Sequence, residues 1–221
     1  MRPRIAVFAD APDRGAGHAR DMRLRWALEE AGQPYDLRPL TFAEMKAPEH
    51  LARQPFGQIP SYEEGDLVLF ETGAILLHLA ERHPGLLPAA PAERARALSW
   101  LIAALATVEP PIVESETARL VERDTPWFAD RQPLLDRRID TRLAALAAAL
   151  GDRDWLAGAF SIADVMMVTV LRRAEDRHIA PHPVLAAYVA RGEARPAYRR
   201  AFAAQRALFE ARRGPGRSRA L

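Results

Sequence analysis

The chain of 221 residues contains no cysteine. That absence excludes a disulfide framework, a thiol nucleophile, a CxxC redox pair and any Cys-ligated zinc or iron–sulfur site. Lysine is almost absent as well: Lys46 is the only one, so the basic charge is nearly all arginine. Lys+Arg total 31 against Asp+Glu 29, a net charge of +2. The arginines are scattered among acids, which argues against a nucleic-acid partner. The one unbalanced run is terminal, and residues 213–221, rich in Gly, Pro and Arg, read as a disordered basic tail. Long apolar runs are missing too. The longest, Trp100 to Val108, has nine residues, against the ~20 of a membrane helix. The apolar stretch at residues 5–9 is too short for a signal sequence and meets Asp10 at once. The chain therefore reads as a soluble, cytoplasmic protein without a membrane partner. Its histidines form no metal set. His178 and His182 are four apart, but Pro181 interrupts the helix that would align them.

What is present divides into two characters. Residues 4–9 read as a strand, residues 19–31 as a helix stopped by Gly32, and residues 35–40 as a second strand. This is a βαβ unit, so the two strands are expected to be parallel. Residues 42–54 are polar with weak helical character. Residues 59–63 and 67–70 flank Glu64-Gly65-Asp66 as a hairpin, and a helix follows over 72–82. Residues 83–91 carry three prolines and no periodicity, which marks a linker.

Beyond the linker no strand signal remains. Helices are expected at about 92–120, 131–150, 161–176, 183–191 and 196–212, with Pro110-Pro111 interrupting the first. Leu135, Ile139, Leu143, Leu146 and Leu150 step at helical spacing. Val165 to Leu171 is apolar nearly all round, as suits a central helix, and Ser161-Ile-Ala-Asp164 before it is a capping box. Trp100 and Met166 read as core. The domains are then 1–82, a small α/β half, and 92–212, an all-helical half.

Two segments carry chemistry. Gln54-Pro-Phe-Gly-Gln58-Ile59-Pro60 enters the hairpin. A proline heading a strand cannot donate to the ladder. If the Ile59–Pro60 bond is cis, the peptide groups of Ile59 turn outward and can pair with an extended peptide-like ligand. Glu71-Thr72 lies where strand meets helix. There free N–H groups and the helix dipole favour a carboxylate, the Thr72 hydroxyl adds a donor, and Glu71 can accept from an ammonium. Gly15-Ala-Gly17 lacks the rest of a nucleotide fingerprint and reads as a flexible loop.

With Gly57-Gln58-Ile59-Pro60, Glu71-Thr72 and Gly158-Ala-Phe-Ser161-Ile-Ala-Asp164 in this order, the chain resembles a cytosolic glutathione transferase of bacterial type. Trp26-Ala-Leu-Glu-Glu-Ala-Gly is also similar to the first helix of many members. The resemblance covers residues 4 to 210. It implies a thioredoxin-like N-terminal domain followed by an α-helical glutathione transferase C-terminal domain. It also implies glutathione as co-substrate, a small hydrophobic acceptor, and pairing as a homodimer. By the same resemblance Gln58, Ile59 and Pro60 hold the cysteinyl backbone, while Glu71 and Thr72 hold the γ-glutamyl group. Family members place a Tyr, Ser or Cys near the first helix to meet the glutathione sulfur. From Phe8 to Met22 this chain has no Ser, Thr, Tyr, Asn or Cys.

The candidates left for the sulfur are His18, as donor or base, Arg20, as a permanent cation, and the N–H groups of a helix starting near His18 or Ala19. The alternative is a non-catalytic binding or scaffold protein on the same fold.

Overall fold

A computed structural model of the chain describes residues 2–213. In chain order it contains β1 (Arg4–Phe8), α1 (Asp21–Glu30), β2 (Asp36–Leu40), a 3-10 turn (Glu44–Lys46), α2 (Pro48–Leu51), β3 (Ser61–Glu64), β4 (Leu67–Phe70) and α3 (Thr72–Arg82). Helices alone follow: α4 (Pro91–Ala103), α5 (Glu109–Val121), α6 (Phe128–Leu150), α7 (Ile162–Leu171), α8 (Asp176–Ile179), α9 (Pro183–Ala194) and α10 (Pro196–Arg213). The basic tail lies, from residue 214 on, outside the described residues.

The strands form one sheet in the order β2-β1-β3-β4. β1 runs parallel to β2, as a βαβ unit requires, with Ile5 opposite Leu37 and Val7 opposite Pro39. β3 pairs antiparallel with β1 and with β4, the expected hairpin. Ile5, Ala6 and Val7 are fully buried, as suits the inner strand β1, which reads as a continuous apolar run. Met22, Leu24, Trp26 and Leu28 of α1 are buried with Ile75, Leu76 and Leu79 of α3.

Two compact units result, and they differ from the expected division at one point. Among the described residues, 195–213 pack with the first unit, residues 2–86, and the second unit is Leu87–Ala194. The last helix lies on α1. Tyr198 meets the edge of Trp26 at 5.0 Å. Gln205 donates to Asp21 at 3.2 Å, Arg195 pairs with Glu30 at 2.5 Å, and Arg200 pairs with Glu29 at 2.7 Å. Asp21 also accepts from Arg25 Nε at 2.7 Å. Burial raises the pKa of this carboxyl, and the Arg25 charge opposes that rise. Helical periodicity names an apolar face but not the surface that it returns to, so order along the chain alone would place α10 with the helical half.

In the second unit the expected stripe Leu135, Ile139, Leu143, Leu146 and Leu150 is buried along α6, at about 1.5–3 kcal/mol per side chain. α6 begins earlier than expected and carries Pro133 inside it. Against expectation, the helical run from Pro91 to Val121 is not broken at the proline pair but changes type just before it. Ala104–Val108 is a π-helical stretch, and Pro110 and Pro111 open α5, where missing N–H groups cost least. Pro91–Val121 as a whole is long and apolar enough, by length and composition, to match a membrane span. Its Ala97, Leu101, Ala104, Val108, Ile112 and Ala118 nevertheless lie in the core of the helical unit.

α7 is buried along its whole length, Met166 included. Its start is closed by the capping box. Asp164 accepts from Ser161 N at 2.9 Å, Leu156 N at 3.0 Å and the Tyr188 hydroxyl at 2.8 Å. Ser161 Oγ accepts from Ala163 N at 3.2 Å.

Candidate functional site

Six of the seven residues singled out from the sequence meet on one wall. Arg20, Gln58, Ile59, Pro60, Glu71 and Thr72, together with Gln54, line a small, shallow concavity of about 10 Å³ in the first unit. His18 is not part of that lining.

The Gln54–Pro60 loop is shaped from below. Gln54 is buried, and its amide oxygen accepts from Phe56 N at 2.8 Å and Gln58 N at 3.2 Å. Lys46, the only lysine, caps the carbonyls of Gly57 at 3.0 Å and Phe56 at 3.3 Å. Gly57 has φ +60, and a Cβ there would stand 2.8 Å from the Met45 carbonyl oxygen, so the loop admits no side chain at that point. The Ile59–Pro60 bond is cis, as the reading of the motif supposed. Neither the N–H nor the C=O of Ile59 has a hydrogen-bond partner among the described residues. Ile59 thus offers one donor and one acceptor from a residue of the concavity's wall, the pair that an extended peptide needs.

Glu71 and Thr72 sit between β4 and α3. Glu71 is exposed and holds φ 67, ψ 118, a conformation that a non-glycine residue adopts at a cost of ~1–3 kcal/mol. No side chain caps α3 at this end. Thr72 is 4% exposed. The first N–H groups of an 11-residue helix, a hydroxyl and a free carboxylate therefore gather at one edge of the concavity. Such a set accepts a carboxylate and an ammonium carried on one carbon.

The approach to α1 behaves differently from the sequence expectation. The helix starts at Asp21 rather than at residue 18 or 19. The N–H groups of His18 and Ala19, expected to face a ligand sulfur, donate to the Asp13 carboxylate at 2.6 and 3.0 Å, and Gly15 N joins them at 3.1 Å. The chain fills this small anion site with its own side chain. Arg20, the residue at the N-cap of α1, is the part of this segment that lines the concavity.

The supporting roles of Gln54 and Asp13 have no signal in the sequence. Both are polar residues in segments without periodicity, and burial of such residues leaves no pattern in a sequence. The helical unit holds a wider open cleft of about 610 Å³, with Pro110, Pro111 and Leu134 beside Arg137, Arg138 and Arg142.

A thioredoxin-like domain with this loop and this helix start, followed by a helical domain, defines a class. Residues 14–81 match the family model of the glutathione S-transferase N-terminal domain. Glutathione S-transferase 4 of Zea mays is 35% identical over 157 residues, which cover 66% of this chain and 68% of that protein. The chain belongs to the glutathione S-transferase family. A glutathione transferase family member from Pseudomonas fluorescens with two glutathione bound has the same fold, with TM-score 0.79, 24% identity and coverage of 91% and 92% of the two chains. A glutathione transferase from Pseudomonas putida, with one glutathione disulfide bound per subunit, gives TM-score 0.79 and 22% identity over 91% and 90%.

Proposed function

We propose that the protein is a glutathione-dependent transferase that adds the glutathione thiolate to a hydrophobic electrophile. The observation that carries this reading is the convergence of Ile59, with its unpaired peptide groups, and Glu71-Thr72, at an uncapped helix start, on one concavity. Ile59 pairs with the cysteinyl backbone, flanked by Gln58 and Pro60. The α3 amides and the Thr72 hydroxyl take the γ-glutamyl carboxylate, and Glu71 takes its ammonium. A free thiol has a pKa of ~8.5, which a nearby cation lowers. Arg20 supplies that cation from the same lining, which favours it over His18 for this task.

In the transfer, the thiolate electron pair forms the new C–S bond, the leaving group departs with its bonding electrons, and the thiol proton passes to solvent. Reduction of a peroxide by two such thiols, giving an alcohol, water and the disulfide, is within the same chemistry. The acceptor's apolar body belongs to the helical domain.

The protein works as a homodimer in the cytoplasm. A dimer is supported by an apolar strip on the free sheet edge, where Leu67, Val68 and Phe70 are exposed beside Phe56, 63% exposed and 6.1 Å from the Phe70 ring. Light scattering should give a dimer mass, shifted toward the monomer by Phe56→Ser.

One observation favours a second reading, a non-catalytic glutathione-binding or scaffold protein. No hydroxyl or thiol lies between Phe8 and Met22, and Asp13 occupies the amides of His18 and Ala19. Retention on immobilised glutathione, measured together with turnover of an activated aryl halide, separates the two. Retention with turnover supports the transferase, retention without turnover the scaffold, and no retention removes both.

A further inference from the structure

The direction of the Gln58–Ile59 peptide is set from inside the first unit. The Gln58 carbonyl oxygen lies 2.6 Å from His50 Nε2, and His50 is 1% exposed. On its other side His50 Nδ1 lies 3.2 Å from Arg38 Nη2. A guanidinium can only donate. Nδ1 therefore accepts, Nε2 carries the hydrogen, and the Gln58 carbonyl receives it. Arg38 is held in turn by Glu63 of β3 at 3.3 Å and by Glu49 of α2 at 3.7 Å. Arg53 binds the second oxygen of Glu63 at 3.0 Å. A chain of polar contacts thus runs from the sheet through a buried imidazole to the backbone of the loop.

That chain has a geometric consequence. The Gln58–Ile59 bond is trans, since the one cis bond in the described chain is Ile59–Pro60. In a planar trans peptide the C=O and the N–H point in opposite directions. With the carbonyl pinned on buried His50, the N–H of Ile59 points away from the imidazole. This is the N–H that has no partner among the described residues, on a residue that lines the concavity.

We infer that His50 is a positioning residue. By holding the Gln58 carbonyl inward it aims the Ile59 N–H at the backbone carbonyl of a bound peptide-like ligand. The inference rests on the glutathione reading above and adds to it a residue outside the concavity. Arg38 is the second member of the device, because it fixes which imidazole nitrogen donates.

Calorimetric titration of glutathione into the full chain tests it, with thermal melting run on each variant. Wild type binds. His50→Leu, folded but without either hydrogen bond, binds about tenfold more weakly. His50→Gln stays within about threefold of wild type, because its amide can donate to Gln58 and accept from Arg38. A folded His50→Leu protein that binds like wild type overturns the inference. So does His50→Gln as weak as His50→Leu, which would assign the effect to packing. If His50→Leu does not fold, Arg38→Leu keeps the imidazole but frees its tautomer and should weaken binding about threefold, with unchanged binding counting against the device. Failure of wild type to bind glutathione is a separate result, which removes the functional reading itself.

Discussion

The starts of α3 and α7 have the same orphan N–H groups and opposite treatments. At α7 the chain answers them itself: Ser161 and Asp164 close a buried box, to which Tyr188 adds a further donor. At α3 no side chain caps the helix, Glu71 is held at positive φ, and the Thr72 hydroxyl is turned to no partner among the described residues. The turn before α1 is also held from within, since Asp13 takes the His18 and Ala19 amides, although no side chain caps α1 itself. A helix start closed from within is a device of stability. One left open, with strain maintained beside it, is a place for a ligand.

The largest expected effect lies at the closed start. Asp164→Ala strands two backbone N–H groups and the Tyr188 hydroxyl in the core, and should cost about 2–4 kcal/mol in a denaturant titration. The affinity for glutathione of the protein that stays folded should not change. At the open start the pattern reverses. Thr72→Val should leave the melting temperature within about a degree and weaken glutathione binding about tenfold.

Glu71→Gly sharpens the contrast further. Glycine adopts positive φ freely, so stability should rise by about 1 kcal/mol while binding falls. A variant that becomes less stable would show that Glu71 is not strained. Asp13→Ala should cost about 1 kcal/mol, the scale of a lost cap, with glutathione affinity unchanged within twofold. A large change in affinity there would mean that the α1 approach is part of the site.

The smallest effect is one of pH, in the helical unit. Burial works to raise the Asp136 pKa, but hydrogen bonds from Arg177 and Gln132, with the Arg177 and Arg119 charges, outweigh it and hold this carboxyl below the usual range. The folded carboxyl therefore binds its proton less tightly than the unfolded one. The stability that it adds is complete above the unfolded value of about 3.9 and is lost as pH falls through the lower folded value. Asp136→Asn should lower the melting temperature at neutral pH and flatten the acid limb below about pH 4, so that the variant converges on wild type at low pH. An unaltered acid limb would show that the pair with Arg177 contributes nothing.

Much of this is legible in the sequence. The alternation of strand and helix signals, the prolines of residues 83–91 and the leucine spacing of α6 fixed the class of each half. Gln58-Ile59-Pro60 and Glu71-Thr72 could be read because each is a local motif whose chemistry follows from adjacent residues. The capping box at Ser161 and Asp164 was legible for the same reason. The supports were not. His50, Gln54 and Asp13 act through contacts that depend on how a polar, aperiodic segment folds back. The α1 start shifted because Asp13, eight residues upstream of Asp21, closes the turn first. The place of α10 depended on tertiary packing on α1, which no helical period encodes.

The central claim is that the open start of α3 and the peptide groups of Ile59 together hold glutathione. A crystal structure with glutathione bound tests it most directly. The γ-glutamyl carboxylate should lie on the α3 amides and the Thr72 hydroxyl, with its ammonium on Glu71 and the cysteinyl backbone on the N–H and C=O of Ile59. Glutathione seated elsewhere in the first unit, with Glu71 and Thr72 untouched, would contradict it.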